Sequence, residues 1–208
     1  MNFLNYDSPF MAALRKYVDY ILLGIMWLFV SLAAVTFGAA TTAMLYTAEK
    51  SIRQDEGKMF VTFWKCFARE FKQATVLWLL GALFSSFLTF NVILLWGVEL
   101  PGLVFALVLV ASIIIFAWIS LWFGYLSRFK DTIRMILNNT FRMVFAYLPR
   151  VMLLTIVTAA AIAAIVLAVL YMPPIALFVP GVYTMLANSI YRKIFKSYLP
   201  DDDNYPLT

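Results

Sequence analysis

Few residues in this 208-residue chain could do chemistry. There is no histidine and one cysteine, Cys66. A Cys/His zinc site, a histidine general base and an intrachain disulfide are therefore excluded. No Gly-rich phosphate loop and no G-x-S-x-G turn occurs. General acid–base work would fall to Glu49, Glu56, Glu70 or tyrosines, and no two of these carboxylates share an apolar run. This inventory predicts no catalytic residue, no metal and no cofactor. Cys66 reads as a small apolar residue beside a membrane surface.

The elements that would hold these residues are oily. The set AVILMFWYC makes up 64% of the chain and DEKR 13%, against about 45–50% and about 25% in soluble domains. Mean hydropathy is +0.88. A small soluble domain has too little interior to absorb that excess. The composition predicts an all-α, polytopic helical membrane bundle forming one integral membrane domain over 1–208. Apolar runs cover Val18–Val35, Ala74–Trp96, Gly102–Leu126, Val151–Tyr171 and Ile175–Ile190. Four of them approach the roughly 20 residues that a spanning helix needs. The fifth contains Pro180-Gly181, which is expected to kink or break it. The opening stretch, MNFLNYDSPFMAALRK, lacks the features of a cleaved secretory signal.

Charge sets the orientation. Lys50, Arg53, Lys58, Lys65, Arg69 and Lys72 precede the second run. Arg128, Lys130, Arg134, Arg142 and Arg150 lie between the third and fourth, and Arg192, Lys193 and Lys196 follow the fifth. The connections Gly97–Pro101 and Met172–Pro174 carry no basic residue. The basic side is expected to be cytoplasmic, with the C-terminus on it. A net charge of +5 then reflects this bias and anionic membrane lipid, not nucleic acid.

The segment after the first run admits two readings. Either one span ends near Gly38, giving five membrane segments, or the chain turns at Thr36–Gly38 and residues 39–53 return, giving six and a cytoplasmic N-terminus. The second is favoured because it places all 16 basic residues on one side. Its difficulty is Glu49, about 16 Å down a full-depth limb and so near mid-bilayer.

Two amphipathic stretches are expected to lie in the cytoplasmic headgroup plane. In the first, Phe60, Phe63, Trp64, Phe67 and Phe71 oppose Lys58, Lys65, Arg69 and Lys72, so Phe63, Trp64, Phe67, Lys65 and Arg69 are the expected membrane-surface residues. In the second, Phe129, Ile133, Ile136, Leu137, Val144 and Leu148 oppose Arg128, Asp131, Arg134 and Arg142. The chain then reads as an N-terminal hairpin or single span over 1–57, then an amphipathic helix plus two-span hairpin over 58–126 and again over 128–191. A cytoplasmic tail covers 192–208.

The stretch MWLFVSLAAVTFGAATTAMLYTAEKSIRQDEG, followed by MFVTFWKCFAREFKQATVLWLL, resembles the YesL family of bacterial integral membrane proteins. The resemblance rests on Thr36, Gly38, Thr42, Ala43, Glu56, Gly57, Phe63, Phe67, Phe71, Lys72, Gln73, Ala74 and Thr75. Ala33 and Glu70 depart from the family pattern, which has Pro and Asn there. The resemblance implies a bacterial cell-membrane protein of a family with no assigned activity. Its members are often encoded beside sugar ABC-transporter and polysaccharide-utilisation genes.

The expected role is therefore a non-enzymatic accessory membrane protein linked to carbohydrate uptake or sensing. Its expected partners are membrane lipid and a sugar ABC transporter or sensor component. The alternative is a small transporter or channel component. The expected partner or ligand site comprises Thr36, Gly38, Thr42, Glu49 and Asn91, with a cavity opening near the first three and Glu49 at its inner end. Gly38→Leu is expected to insert normally but to lose its partner.

Overall fold

The structure, a computed structural model, describes residues 9–96 and 102–198. The expected outer loop Gly97–Pro101 and the tail from 199 lie outside them. The described residues form helices joined by short turns, and no strand occurs among them. Helix α1 covers Pro9–Ser31, α2 Phe37–Thr47, α3 Met59–Trp96, α4 Gly102–Leu126, α5 Ile133–Ala146, α6 Leu148–Tyr171, α7 Pro173–Ala176 and α8 Val179–Phe195. Four segments are long and apolar enough to cross a membrane: Met59–Asn91, Gly102–Leu126, Leu148–Tyr171 and Pro173–Phe195.

The first run behaves differently. Beyond Arg15, Lys16 and Asp19, α1 has an uncharged run of only residues 20–31, about 18 Å at 1.5 Å per residue. A 3-10 turn over Ala34–Thr36 follows, and Thr36 Oγ1 donates to the Ala33 carbonyl at 2.6 Å and to that of Val30. These bonds satisfy carbonyls at the end of α1 where the backbone leaves helical geometry. The chain then returns as α2, whose 11 residues span about 16 Å, too short to cross a bilayer core of about 30 Å. So the limb does return, but as half of a short hairpin.

The tip of the hairpin stands level with Trp78. The Phe37 ring packs on Trp78 at 4.5 Å and on Trp27 at 5.3 Å, and Trp27 Nε1 donates to Thr41 Oγ1 at 3.0 Å. Helix α3 continues from Trp78 to Trp96, about 27 Å further. Gly38 sets the closeness of α2 to α3. A Cβ there would lie 2.5 Å from the Ala74 carbonyl oxygen and 2.8 Å from Trp78 Cβ.

Two sequence-level expectations change. The amphipathic stretch 60–71 is not a separate headgroup-plane helix but the beginning of α3, a single 38-residue helix. The junction Phe71-Lys72-Gln73-Ala74-Thr75 holds no Gly or Pro, so nothing stops helix propagation there. Phe63 and Cys66 are fully buried against Ala43, Met44 and Ile52, whereas Phe60, Trp64 and Lys65 stay exposed. The order expected to repeat over 58–126 and 128–191 is thus fused in its first half and divided in its second, where α5 is a separate helix. The fifth run is divided as expected, into α7 and α8 with a turn at residues 177–178 just ahead of Pro180-Gly181. Pro180 sits in the first turn of α8, where its missing N–H is not needed. Gly181 admits α1, since a Cβ on it would meet the Tyr20 carbonyl oxygen at 2.5 Å.

Gly38→Leu therefore strikes the protein's own core. Even Gly38→Ala is expected to lose about 1–3 kcal/mol by overpacking, read as a lower thermal midpoint in detergent. An unchanged midpoint would show that α2 shifts away from α3 freely.

Candidate functional site

At the charged end of the bundle the polar side chains converge on one carboxylate. After α2 the helix widens over Ala48–Arg53 into a π-helical stretch, with the Gln54 N–H bonded to the Glu49 carbonyl and the Glu56 N–H to that of Lys50. Asp55 at φ 58° and Gly57 at φ 79° end it. The left-handed value explains the glycine at 57. The wide turn carries Glu49, only 2% exposed.

Two arginines neutralise Glu49. Arg53, one turn on, places Nε 2.6 Å from Glu49 Oε1. Arg128, two residues past α4, brings Nη2 to 3.6 Å from Glu49 Oε2. The Arg128 guanidinium also donates to Asn188 Oδ1 at 3.0 Å, to Ser127 Oγ at 3.1 Å and to the Gly124 carbonyl at 3.2 Å. Asn188 in α8 donates in turn to the Leu45 carbonyl of α2 at 3.1 Å. Aromatic rings close the group. Arg128 lies 5.4 Å over Tyr191 and 5.6 Å over Phe195, geometry suited to cation–π attraction. Tyr191 donates to the Ser120 carbonyl at 2.5 Å. A narrow cleft of about 10 Å³ adjoins the cluster, lined by Tyr46, Arg69, Ser127, Arg128, Phe129 and Lys130. That is room for about one water.

The expected site residues scatter around this arrangement. Gly38 faces backbone, and Thr42 donates to the Gly38 carbonyl at 3.0 Å inside its own helix. Thr36 is spent on the hairpin turn. Glu49 is the centre of the cluster. Asn91 donates to the Phe87 carbonyl of its own helix at 2.7 Å, near the opposite end of α3. Of the expected surface residues, Phe63 is buried, and Phe67 lies parallel to Phe63 and meets Phe71 edge-on. Arg69 pairs with Glu70 at 2.6 Å and caps the Tyr46 ring at 5.1 Å.

Sequence reasoning missed Arg128 as the partner of Glu49. Periodicity places it on the polar face of an amphipathic helix, but α5 begins only at Ile133 and the Arg128 side chain is 1% exposed. A signal existed: a carboxylate in an apolar segment demands a cation, and Arg128 ends a 25-residue uncharged helix. No cluster of three or more metal-ligating side chains occurs among the described residues.

An all-helical bundle with four span-length apolar helices and one neutralised ion cluster defines an integral membrane protein. Residues 20–92 match the family described as "Protein of unknown function, DUF624", and over that stretch the YesL-type resemblance holds. No curated protein and no solved structure matches the chain. The matched stretch contains Gly38, Glu49 and Arg53 but neither Arg128 nor Asn188.

Glu49→Ala is expected to lose about 3–5 kcal/mol, because it strands buried cations, measured by thermal unfolding in detergent. In a cycle of Glu49→Gln and Arg128→Gln, the double variant should lose less than the sum of the single losses. Additive losses would show that the pair does not couple.

Proposed function

We propose that this is a multi-pass membrane protein of the bacterial cell membrane that works by holding another membrane component, without chemical turnover. One observation carries the reading. The buried Glu49 carboxylate is paired with Arg53 and Arg128, Asn188 ties Arg128 to the Leu45 carbonyl, and the cleft beside them holds about 10 Å³. Meanwhile α3, α4 and α6 turn large apolar side chains outward, among them Phe87, Phe90, Leu103, Leu107, Leu167 and Leu170. Such faces suit lipid and neighbouring transmembrane helices. The family's genomic setting makes a component of sugar uptake or sensing the proposed partner. A small transporter would call for a polar path through the bundle, and a closed ion cluster favours the accessory role over that alternative.

The proposed topology places the α1–α2 hairpin as a half-depth, re-entrant element with both termini cytoplasmic. Four spans and a returning hairpin then put every basic residue on the inner side. In intact cells an impermeant maleimide should label Met172→Cys and spare Lys58→Cys, both exposed positions, over a low background from buried Cys66. Labelling of Lys58→Cys from outside would reverse the orientation.

Purification from native membranes in mild detergent should recover a second membrane protein in near-stoichiometric amount by mass spectrometry. Recovery of the chain with lipid alone would overturn the accessory role.

A further inference from the structure

Helix α5 is apolar on two sides. Ile136, Met143 and Val144 are buried against the bundle, while Met135, Phe141 and Phe145 are each at least 45% exposed. The helix is pinned across α4. Trp118 Nε1 donates to the Leu137 carbonyl at 3.2 Å and to Thr140 Oγ1 at 3.0 Å. At the other end of the joint, the Tyr125 hydroxyl donates to Asp131 Oδ2 at 2.5 Å and accepts from Asn139 Nδ2 at 2.9 Å. Beside this joint runs an open groove of about 570 Å³, lined by Trp118, Ile133, Arg134, Leu137, Asn138 and Phe141. That volume lies in the ordinary range of small-ligand pockets.

Four walls of the groove are apolar, and its two polar residues, Arg134 and Asn138, stand one helical turn apart and exposed. The Asp131 carboxylate is held by Tyr125 and Asn139, and among the described residues no carboxylate stands within ion-pair distance of Arg134. Trp118 lies eight residues before the end of α4, about 12 Å along the helix. The hydrocarbon half-thickness of a leaflet is about 15 Å. A ligand in the groove would therefore have its apolar part at acyl-chain depth and its anionic part toward the basic face of the protein.

We propose that this groove binds one anionic phospholipid, with an acyl chain along Trp118, Ile133, Leu137 and Phe141 and the headgroup phosphate on Arg134 and Asn138. The site lies apart from the Glu49 cluster and does not depend on the accessory role. Arg134 supplies a bidentate, charge-assisted contact to the phosphate. Asn138 adds an amide donor. Arg134 also stands in the first turn of α5, where the helix dipole favours an anion. A zwitterionic lipid offers the same phosphate, but its own ammonium competes for it.

The test is native mass spectrometry of the delipidated full chain with dioleoylphosphatidylglycerol or dioleoylphosphatidylcholine. One phosphatidylglycerol should bind about tenfold more tightly than phosphatidylcholine, the effect of one charge-assisted contact. Arg134→Gln should remove that preference, Arg134→Lys should keep part of it, and Phe141→Ser should weaken both lipids. Arg134 and Phe141 are exposed, and an unchanged thermal midpoint confirms that each variant is folded. Excess inorganic phosphate should not displace the lipid; if it does, the groove takes a free anion and the chain-binding half is wrong. Equal binding of the two lipids, a preference that survives Arg134→Gln, or a lipid-free dimer closing the groove would each overturn the proposal.

Discussion

Glu49 is the constraint around which this bundle is arranged. A carboxylate removed from water is tolerated only when cations and donors replace its hydration. Here the replacements come from three separate parts of the chain. Arg53 is local, one turn along the widened helix. Arg128 arrives from the end of α4, and Asn188 from α8 fixes Arg128 while binding the α2 backbone. The Arg128 and Asn188 contacts tie the end of α4 and helix α8 to the short hairpin. Removing any one leaves another buried polar group without its partner, which is why the cluster acts as a unit. The same contacts place α8 so that the Tyr191 ring lies on Gly124, where a Cβ would come within 2.2 Å of it.

The half-length hairpin follows from the same constraint. A full-depth limb would hold Glu49 near mid-bilayer, far from any cation. Stopping the hairpin level with Trp78 brings Glu49 down to the end of α4, where Arg128 begins the basic connection. Three features make the short hairpin possible. The 3-10 turn at Ala34–Thr36 reverses the chain early. The Trp27, Phe37 and Trp78 rings seal its tip, and Gly38 lets α2 lie against the backbone of α3. The continuous length of α3 then serves both ends. Its first half packs under the hairpin through Phe63 and Cys66, and its second half goes on past the hairpin tip against α4, with Gly81 beside Ile119 and Trp122 and Phe84 beside Trp118.

Much of this was legible in the sequence, for reasons that differ by element. The runs behind α3, α4 and α6 are long and uncharged, so hydropathy alone finds them. The return of the chain after Gly38 follows from the charge distribution. The joining of 60–71 to the next span was not legible, because an amphipathic pattern is the same whether the helix lies on a membrane or under a neighbouring hairpin. Arg128 was misplaced for a related reason: periodicity assigns a residue to a face only if it is on the helix, and the turn over 127–132 takes Arg128 off it. Thr36, Gly38 and Thr42 were recognised as a distinctive group, yet small and hydroxyl residues mark tight backbone packing as readily as a binding site. Here they close the core.

The division of the cluster along the chain has a structural consequence. The stretch that matches the DUF624 family, residues 20–92, supplies Glu49 and Arg53 together with the hairpin and the helix it rests on. It does not supply Arg128, Asn188, or the Gly181 backbone against which α1 crosses at Gly24. Without those, Glu49 keeps a single cation, the Leu45 carbonyl loses its side-chain donor, and one side of α1 has no helix to meet. The matched stretch is therefore the part of the molecule that presents the buried charge with one local cation, and the helices after it complete its neutralisation. Relatives that keep a carboxylate at the position of Glu49 need a donor set at the end of the following hairpin, whatever else changes there.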